Sequence, residues 1–272
     1  MKTQSKIAFA GIATLCAWIW QPQVIAQGGV NPNNAPNMTK SRSSKVAVVE
    51  LFTSEGCSSC PPADAVLSRL KREQPVSGVK IIPLSESVPY WDYIGWKDPH
   101  AKESFTARQK EYCQKFANDS LYTPQAVING ISQTTGSNYS EILRLIGATS
   151  AATDITIDGN LDRYDNRLKL TATLQLPTRT DKSKLMLTAF VVEDNLTSNV
   201  TKGENAGARI SHDNVVRDLL NLEQITTNSQ VFIKTINLQP GWKPKNLSTV
   251  IIVQDKTNKA IYAATQINIS SK

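Results

Sequence analysis

The chain has 272 residues, a formal net charge of +7 at pH 7, 40% hydrophobic and 19% charged residues, and four cysteines. That length and apolar content allow one large or two modest domains with a buried core, and exclude global disorder. Thirteen Gly and 13 Pro exclude a collagen-like or low-complexity chain, and four cysteines are too few for a disulfide scaffold.

The chain opens with Lys2 and Lys6 ahead of an apolar run from Ile7 to Trp20, followed by Val24-Ile25-Ala26. This reads as a secretory leader over residues 1–26; an uncleaved membrane anchor is the alternative. After it, no apolar run approaches the roughly 20 residues of a membrane span. Cleavage implies a periplasmic or secreted protein in an oxidising compartment, where paired cysteines stay oxidised. Residues 27–44 are rich in Asn, Gly, Pro and Ser and read as a flexible linker. The basic residues are spread out, without a dense run interleaved with aromatics, so nucleic acid is not an expected partner.

From residue 45 to 150, strand and helix signals alternate. The run Val46 to Phe52 is nearly continuous in apolar residues, as in a strand buried on both faces. Ala63, Val66, Leu67 and Leu70 recur at helical spacing, and Gln74-Pro75 ends that helix. Val79 to Leu84 predicts a second buried strand, Ala101 to Ala117 a helix, Ala126 to Asn129 a strand entering a turn at Gly130, and Tyr139 to Ile146 a last helix. From 151 to 272 the pattern changes. Leu168, Leu170, Ala172, Leu174 and Leu176 alternate with polar residues, predicting a half-buried antiparallel strand. Leu185 to Val192, Val231 to Leu238, Thr249 to Val253 and Ala260 to Ile269 read as further strands, spaced as in a β-sandwich. Val215 to Leu222 is undecided between helix and strand. The expected organisation is an α/β domain over 45–150 and an all-β, sandwich-like domain over 151–272.

Between the first strand and first helix lies Cys57-Ser58-Ser59-Cys60. A cysteine at a helix N-terminus faces unpaired N–H groups and the positive end of the dipole, and both favour the thiolate. Cys57 is then a candidate nucleophile and Cys60 the resolving thiol, with Pro61 and Pro62 suited to the first helical turn. The same pair also reads as an inert structural disulfide, or as two ligands of a soft metal. Tyr122-Thr123-Pro124-Gln125 precedes a strand, a place where either a cis or an ordinary trans proline fits.

Several longer stretches resemble the secreted bacterial domain-of-unknown-function family 1223. They are Val49 to Asp64, Pro89 to Pro99, Tyr122-Thr123-Pro124-Gln125, Gly203 to Gly207 and His212 to Arg217. The resemblance implies a thioredoxin-like N-terminal domain, export, and no established reaction. By resemblance to thioredoxins, Pro124 would be cis beside the cysteines and Thr123 would offer its backbone to an extended substrate. Gly56 departs from the aromatic residue that thioredoxins place there, and the stretch around Glu86 to His100 is an insertion. That insertion holds Tyr90, Trp91, Tyr93 and Trp96, which form either a peptide-binding wall, with Trp91 and Trp96 as substrate contacts, or a loop pinned by its own aromatics.

Glu50 is a candidate proton acceptor for Cys60, or a carboxylate bonded to backbone N–H groups at the strand's end. Glu55 would oppose thiolate formation if it faced the sulfur. Cys113 is either a buried small hydrophobe or a third thiol. His212, in the polar segment 203–217 with Glu204, Arg209 and Arg217, sits where that segment either docks on the first domain, holds an anion, or bonds to itself. The leading expectation is an exported thiol–disulfide oxidoreductase that needs no cofactor, with a protein or peptide disulfide as substrate and an unidentified redox partner. One alternative is a copper metallochaperone drawing a third ligand from His100, His212 or Cys113. The other is a binding module stapled by Cys57–Cys60.

Overall fold

The computed structural model describes residues 45–222 and 224–270. The expected leader at 1–26 and linker at 27–44 lie outside the described residues. In chain order the elements are β1 (Lys45–Thr53), α1 (Pro61–Glu73), β2 (Val79–Ser87), a 3₁₀ segment (Pro89–Ile94), α2 (Glu103–Lys115), β3 (Gln125–Ile128), β4 (Ser132–Thr135) and α3 (Tyr139–Thr149). There follow β5 (Thr156–Tyr164), β6 (Arg167–Gln175), β7 (Leu185–Glu193), β8 (Leu196–Asn199), β9 (Arg209–His212), β10 (Val215–Asn221), β11 (Ser229–Asn237), β12 (Leu247–Asp255) and β13 (Ile261–Asn268).

The local rules that predict these elements are visible in them. The two prolines open α1, and Gln74 closes it in the left-handed region at φ 46°. Its side chain then bonds both backbone groups of Ile81, tying the helix end to β2. Strand β6 buries alternate residues as its period of two demands. The ambiguous stretch from Val215 holds a strand, β10.

One mixed sheet of eight strands runs β13-β12-β7-β10-β2-β1-β3-β4. β1 and β2 are parallel, and β3 joins β1 antiparallel. β10 pairs with β2 in parallel at Val215↔Ser85 and with β7 antiparallel. The joint is held by Asn214, whose carbonyl accepts from Ser85 N–H (3.0 Å) and whose Nδ2 donates to the Pro83 carbonyl (2.7 Å). Asn214 is fully buried at φ 48°, a left-handed conformation that Asn tolerates.

This overturns the expected fold class of an α/β thioredoxin-like part beside a separate sandwich-like part. Strand makes up 42% and helix 22% of the described residues. The strands on either side of residue 150 share one sheet. An edge of β2 that a self-contained α/β domain would close for itself is filled from the second half of the chain.

One face of the large sheet carries a core that crosses the joint, with Val48, Phe52, Ile82 and Leu84 packing with Phe190, Val192, Val250 and Ile252 beneath Phe105 and Tyr112 of α2. The opposite face is divided. α1 and α3 cover Ala47, Val49, Leu51 and Ile81, while the three-stranded sheet β11-β6-β5 covers Leu187, Ala189, Ile251 and Val253. Each such aliphatic side chain contributes about 1.5–3 kcal/mol by leaving water.

Because one sheet carries the core, unfolding is expected to be a single transition with coincident midpoints by tryptophan fluorescence and far-UV circular dichroism. Asn214→Ala leaves the buried Pro83 carbonyl unpaired and puts an alanine at positive φ. It is expected to cost about 2–4 kcal/mol in urea denaturation. Asn214→Gly, which removes only the hydrogen bond, is expected to cost about 1–2 kcal/mol.

Candidate functional site

Cys57 and Cys60 form a disulfide at the head of α1. The turn is built from its own backbone, Cys57 N–H donating to the Ser54 carbonyl and Cys60 N–H to the Cys57 carbonyl. Cys60 has helical angles (φ −80°, ψ −39°), and its carbonyl accepts from Ala63 and Asp64 N–H. Both cysteines are buried, at 1% and 0% exposure.

Two segments cover them. The 3₁₀ segment packs on Gly56, where a Cβ would come within 3.2 Å of Trp91 Cβ and Ile94 Cδ1. That segment thus fills the space at Gly56, beside the first cysteine. From the second half of the chain, Glu204 Oε2 accepts from Ser58 N–H (2.9 Å), and Asn205 Nδ2 donates to the carbonyls of Glu55 (2.8 Å) and Cys57 (2.9 Å). The segment carrying Glu204 and Asn205 therefore docks on the cysteine turn. Its exposed carboxylate caps the Ser58 N–H just ahead of the helix start and places a negative charge near the first cysteine.

The predicted residues divide into two places. Thr123–Pro124 is a cis peptide, and Thr123 Oγ1 accepts from Trp91 Nε1 (2.8 Å). Trp96 Nε1 donates to Glu55 Oε2 (2.9 Å). Tyr93 is 80% exposed and stacks on Trp91. Glu50 lies elsewhere, on the sheet face beneath α2, where Arg108 Nε and Tyr112 Oη (2.6 Å) bond its carboxylate. Arg108 and Tyr112 also contact Gln254 of β12. Glu86 joins this cluster without a hydrogen-bond partner, and burial, reinforced by Glu50, holds its carboxyl well above the usual range. Cys113 is a buried free thiol 3.9 Å from the Ser120 carbonyl, and burial raises its pKa.

The acidic and histidine groups behind the disulfide are less evident from the sequence. Glu55, fully buried, is bonded by His212 Nε2 (3.0 Å) and Trp96. Burial raises its pKa, but hydrogen bonds from His212, Ser198 and Trp96 outweigh it, and the net shift is downward. His212 shifts the other way: burial lowers it, while Glu55 and Asp64 more than restore it. The opposite shifts favour a charge-assisted bond between the two. Asp98 accepts from Glu55 N–H (2.9 Å) and His100 N–H (2.8 Å), and burial lifts its carboxyl to about 6. Burial lowers His100 to about 4, so it is neutral, and Arg217 Nη1 donates to its Nδ1 (2.9 Å). Asp64, on the first turn of α1, is pushed by burial to about 7. Its Oδ2 accepts from Thr53 Oγ1 (3.4 Å), and its Oδ1 has no hydrogen-bond partner. His212 and Glu55 are 157 residues apart, so only the docking of β9 and β10 brings them together.

Of the third-ligand candidates, His212 is bonded to Glu55 and His100 to Arg217, while Cys113 is a free thiol on α2. Among the described residues no group of three or more His, Cys, Asp or Glu is gathered as a metal site.

The fold and site define a β-rich protein with a buried short-loop disulfide whose flanking residues Glu55 and Asp64 belong to a cluster of buried titratable groups. The family profile described as "Protein of unknown function (DUF1223)" matches residues 48–254, and the chain belongs to that family. A comparison with curated proteins finds no match. Among solved structures, the chain is similar to an Agrobacterium tumefaciens protein at 22% identity and TM-score 0.64, covering 83% of this chain and 95% of that one. It is also similar to HBP35 of Porphyromonas gingivalis at 16% identity and TM-score 0.58, covering 86% of this chain and 79% of that one. At these identities the likeness is one of fold.

Asp64 provides a stability test with a fixed sign. A folded carboxyl at about 7, against 3.8 for an unperturbed aspartate, means that the folded state holds an extra proton between those pH values. Wild-type stability from this group falls as pH rises through that window and is flat above it. Asp64→Asn removes the effect. Relative to wild type, the variant is expected to gain on the order of a few kcal/mol in urea denaturation between pH 4 and pH 8. A pH-independent difference would contradict the assignment.

Proposed function

We propose that the chain is an exported thiol–disulfide exchange protein, with Cys57 as the attacked and attacking sulfur and Cys60 as its intramolecular partner. The observation that carries this reading is the row of buried titratable groups around Glu55, which precedes the cysteine turn, and Asp64, which follows it on the first turn of α1: these two with His212, Asp98 and His100. A bridge that only cross-links the chain has no use for them, and each costs desolvation to bury. Trp91 and Trp96 frame the covered turn, and Thr123 is held to Trp91, so an extended peptide disulfide has an aromatic wall to lie against once the Glu204–Asn205 segment withdraws. Electrons pass between thiols and no cofactor is needed. Export, to the periplasm or beyond, fits a persistent disulfide, and no helix among the described residues is long and apolar enough to cross a membrane.

The acids around the pair set the direction of its redox poise. Glu55 and Glu204 both disfavour thiolate at the cysteines, and a reduced form that gains nothing from thiolate stabilisation gives a more reducing couple. A second reading rests on the nearly complete burial of both sulfurs: a permanent staple in a protein that binds a partner through its β surface.

The potential separates the two. Equilibration in graded thiol–disulfide buffers, alkylation and mass counting are expected to give a value between about −200 and −300 mV. A value well below about −300 mV with no exchange in the folded state would support the staple. Glu204→Ala removes both the cover over Ser58 and a negative charge at the helix end. It is expected to speed reduction several-fold and to move the potential upward. Cys60→Ser is expected to trap mixed disulfides at Cys57, seen as mass adducts, and Cys57→Ser to abolish exchange.

A further inference from the structure

Opening the bridge creates a chemical demand in a buried place. An external thiolate attacks Cys57 Sγ, a new S–S bond forms, and the Cys57–Cys60 bond breaks. Cys60 leaves as a thiolate with its negative charge in a site nearly without solvent, beside Glu55 and Asp64. That charge must be neutralised locally, and the cost of leaving it bare would slow the step.

The geometry supplies the group that does so. Cys60 has helical backbone angles, so Asp64, four residues on, lies over the same side of α1 with its Cβ about 5–6 Å from that of Cys60. Asp64 Oδ1 is buried without a hydrogen-bond partner and faces His212 Nδ1 at 3.9 Å. His212 Nε2 is fixed by Glu55 at 3.0 Å. Against the same Glu55 oxygen, and edge-on to the His212 ring, stands His100, its Nε2 3.8 Å from Glu55 Oε1 and also without a hydrogen-bond partner. His100 lines a surface cavity of about 340 Å³ with Lys102, Arg217 and Trp242. The two gaps in this row fall at the two unpartnered atoms, and side-chain motion of about 1 Å closes either to a hydrogen bond.

We infer that Asp64 and His212 form a buried proton store for the cysteine pair, Asp64 handing its proton to Cys60 as the bridge opens and recovering one through His212, which Glu55 orients. In the oxidising direction the proton returns: Cys60 thiol loses it to Asp64 carboxylate as the thiolate displaces the external thiol from Cys57. His212 and Glu55 are positioning residues acting through Asp64. This inference rests on the exchange reading above and deepens it. The groups facing Asp64 are Thr53 from β1, Glu55 and Asp98 from the loops that flank it, and His212 from β9. His212 is the only basic group among them.

The test is the rate of Cys57–Cys60 opening by dithiothreitol from pH 5 to 9, read by alkylation and mass, and divided by the rate for a small unstructured disulfide to remove the reductant's own ionisation. Wild type is expected to show an inflection near pH 7, with faster normalised opening on the acid side. Asp64→Asn is expected to lose the inflection and to open about tenfold more slowly at pH 5.5. That is a modest effect for a positioned proton donor, because a thiolate can leave unprotonated. Asp64→Glu, which keeps a carboxyl, is expected to restore an inflection, and His212→Gln to move it; urea midpoints confirm that each variant is folded. If Asp64→Asn and His212→Gln both keep the wild-type profile, the proton store is refuted while exchange stands. If the wild-type bridge does not open at any pH while the protein stays folded, the exchange reading itself fails, and this inference falls with it.

Discussion

The pairing of Val215 with Ser85 decides the architecture. It is one register point between parallel strands, held by Asn214 on both sides of the junction. Its consequences extend in both directions along the chain. Forward, β10 carries the sheet on into β7, β12 and β13. Backward, His212 is only two residues from Asn214, so anchoring Asn214 on β2 leaves β9 lying against the start of α1. The same connection delivers Glu204 and Asn205 to the cysteine turn. The junction that makes one sheet of two chain halves thus also assembles the site, and neither half holds the site alone.

A second set of buried charges reinforces the union from the other face. Arg108 of α2 bonds Glu50 of β1 and reaches Gln254 of β12, while Tyr112 bridges Glu50 and Gln254. Such a cluster gives little net stability, because desolvation offsets most of the attraction. What it gives is selection: docking α2 in another register would leave a carboxylate or guanidinium bare, at several kcal/mol. Glu86 shares the same guanidinium at 3.9 Å, and burial together with the Glu50 carboxylate raises its pKa. As a proton acceptor for Cys60, Glu50 is expected to face the cysteine turn from its apolar strand. Strand alternation instead turns it, with Val48 and Phe52, to the face opposite α1.

What is legible in the sequence follows a physical line. Signals that live within one element are readable: the apolar run of β1, the helical spacing from Ala63 to Leu70, the alternation of β6, and the CxxC at a strand–helix turn. Signals that depend on which edges meet are not. β10 reads ambiguously because its C-terminal half is only half-buried, so Leu219 and Leu220 show no clean period. β8 and β9 are four-residue strands paired only with each other, too short to show a period. The division near residue 150 rests on a real change in pattern, helices giving way to strands. A change of pattern says how segments fold locally, and not whether their sheets end or join. The cysteines are found because both reacting atoms sit within one turn. Glu55 and His212 each stand out singly, but their pairing spans 157 residues and has no local trace.

The environment of the cysteines also shows why helix position alone misjudges them. The positive end of a helix acts over its first turn and weakly where water screens it. Here Glu204 bonds Ser58 just ahead of that turn and Glu55 lies behind it. Full charges at such range outweigh a partial one. The pair therefore cannot rely on a stabilised thiolate. It has to manage charge by moving protons, and a buried histidine between two acids, one ionised and one near neutrality, is an arrangement able to do that. Burial limits access to the sulfurs, yet the same burial gives those groups their shifted proton affinities. A fully solvated Asp64 would be ionised at neutral pH and would have no proton to give.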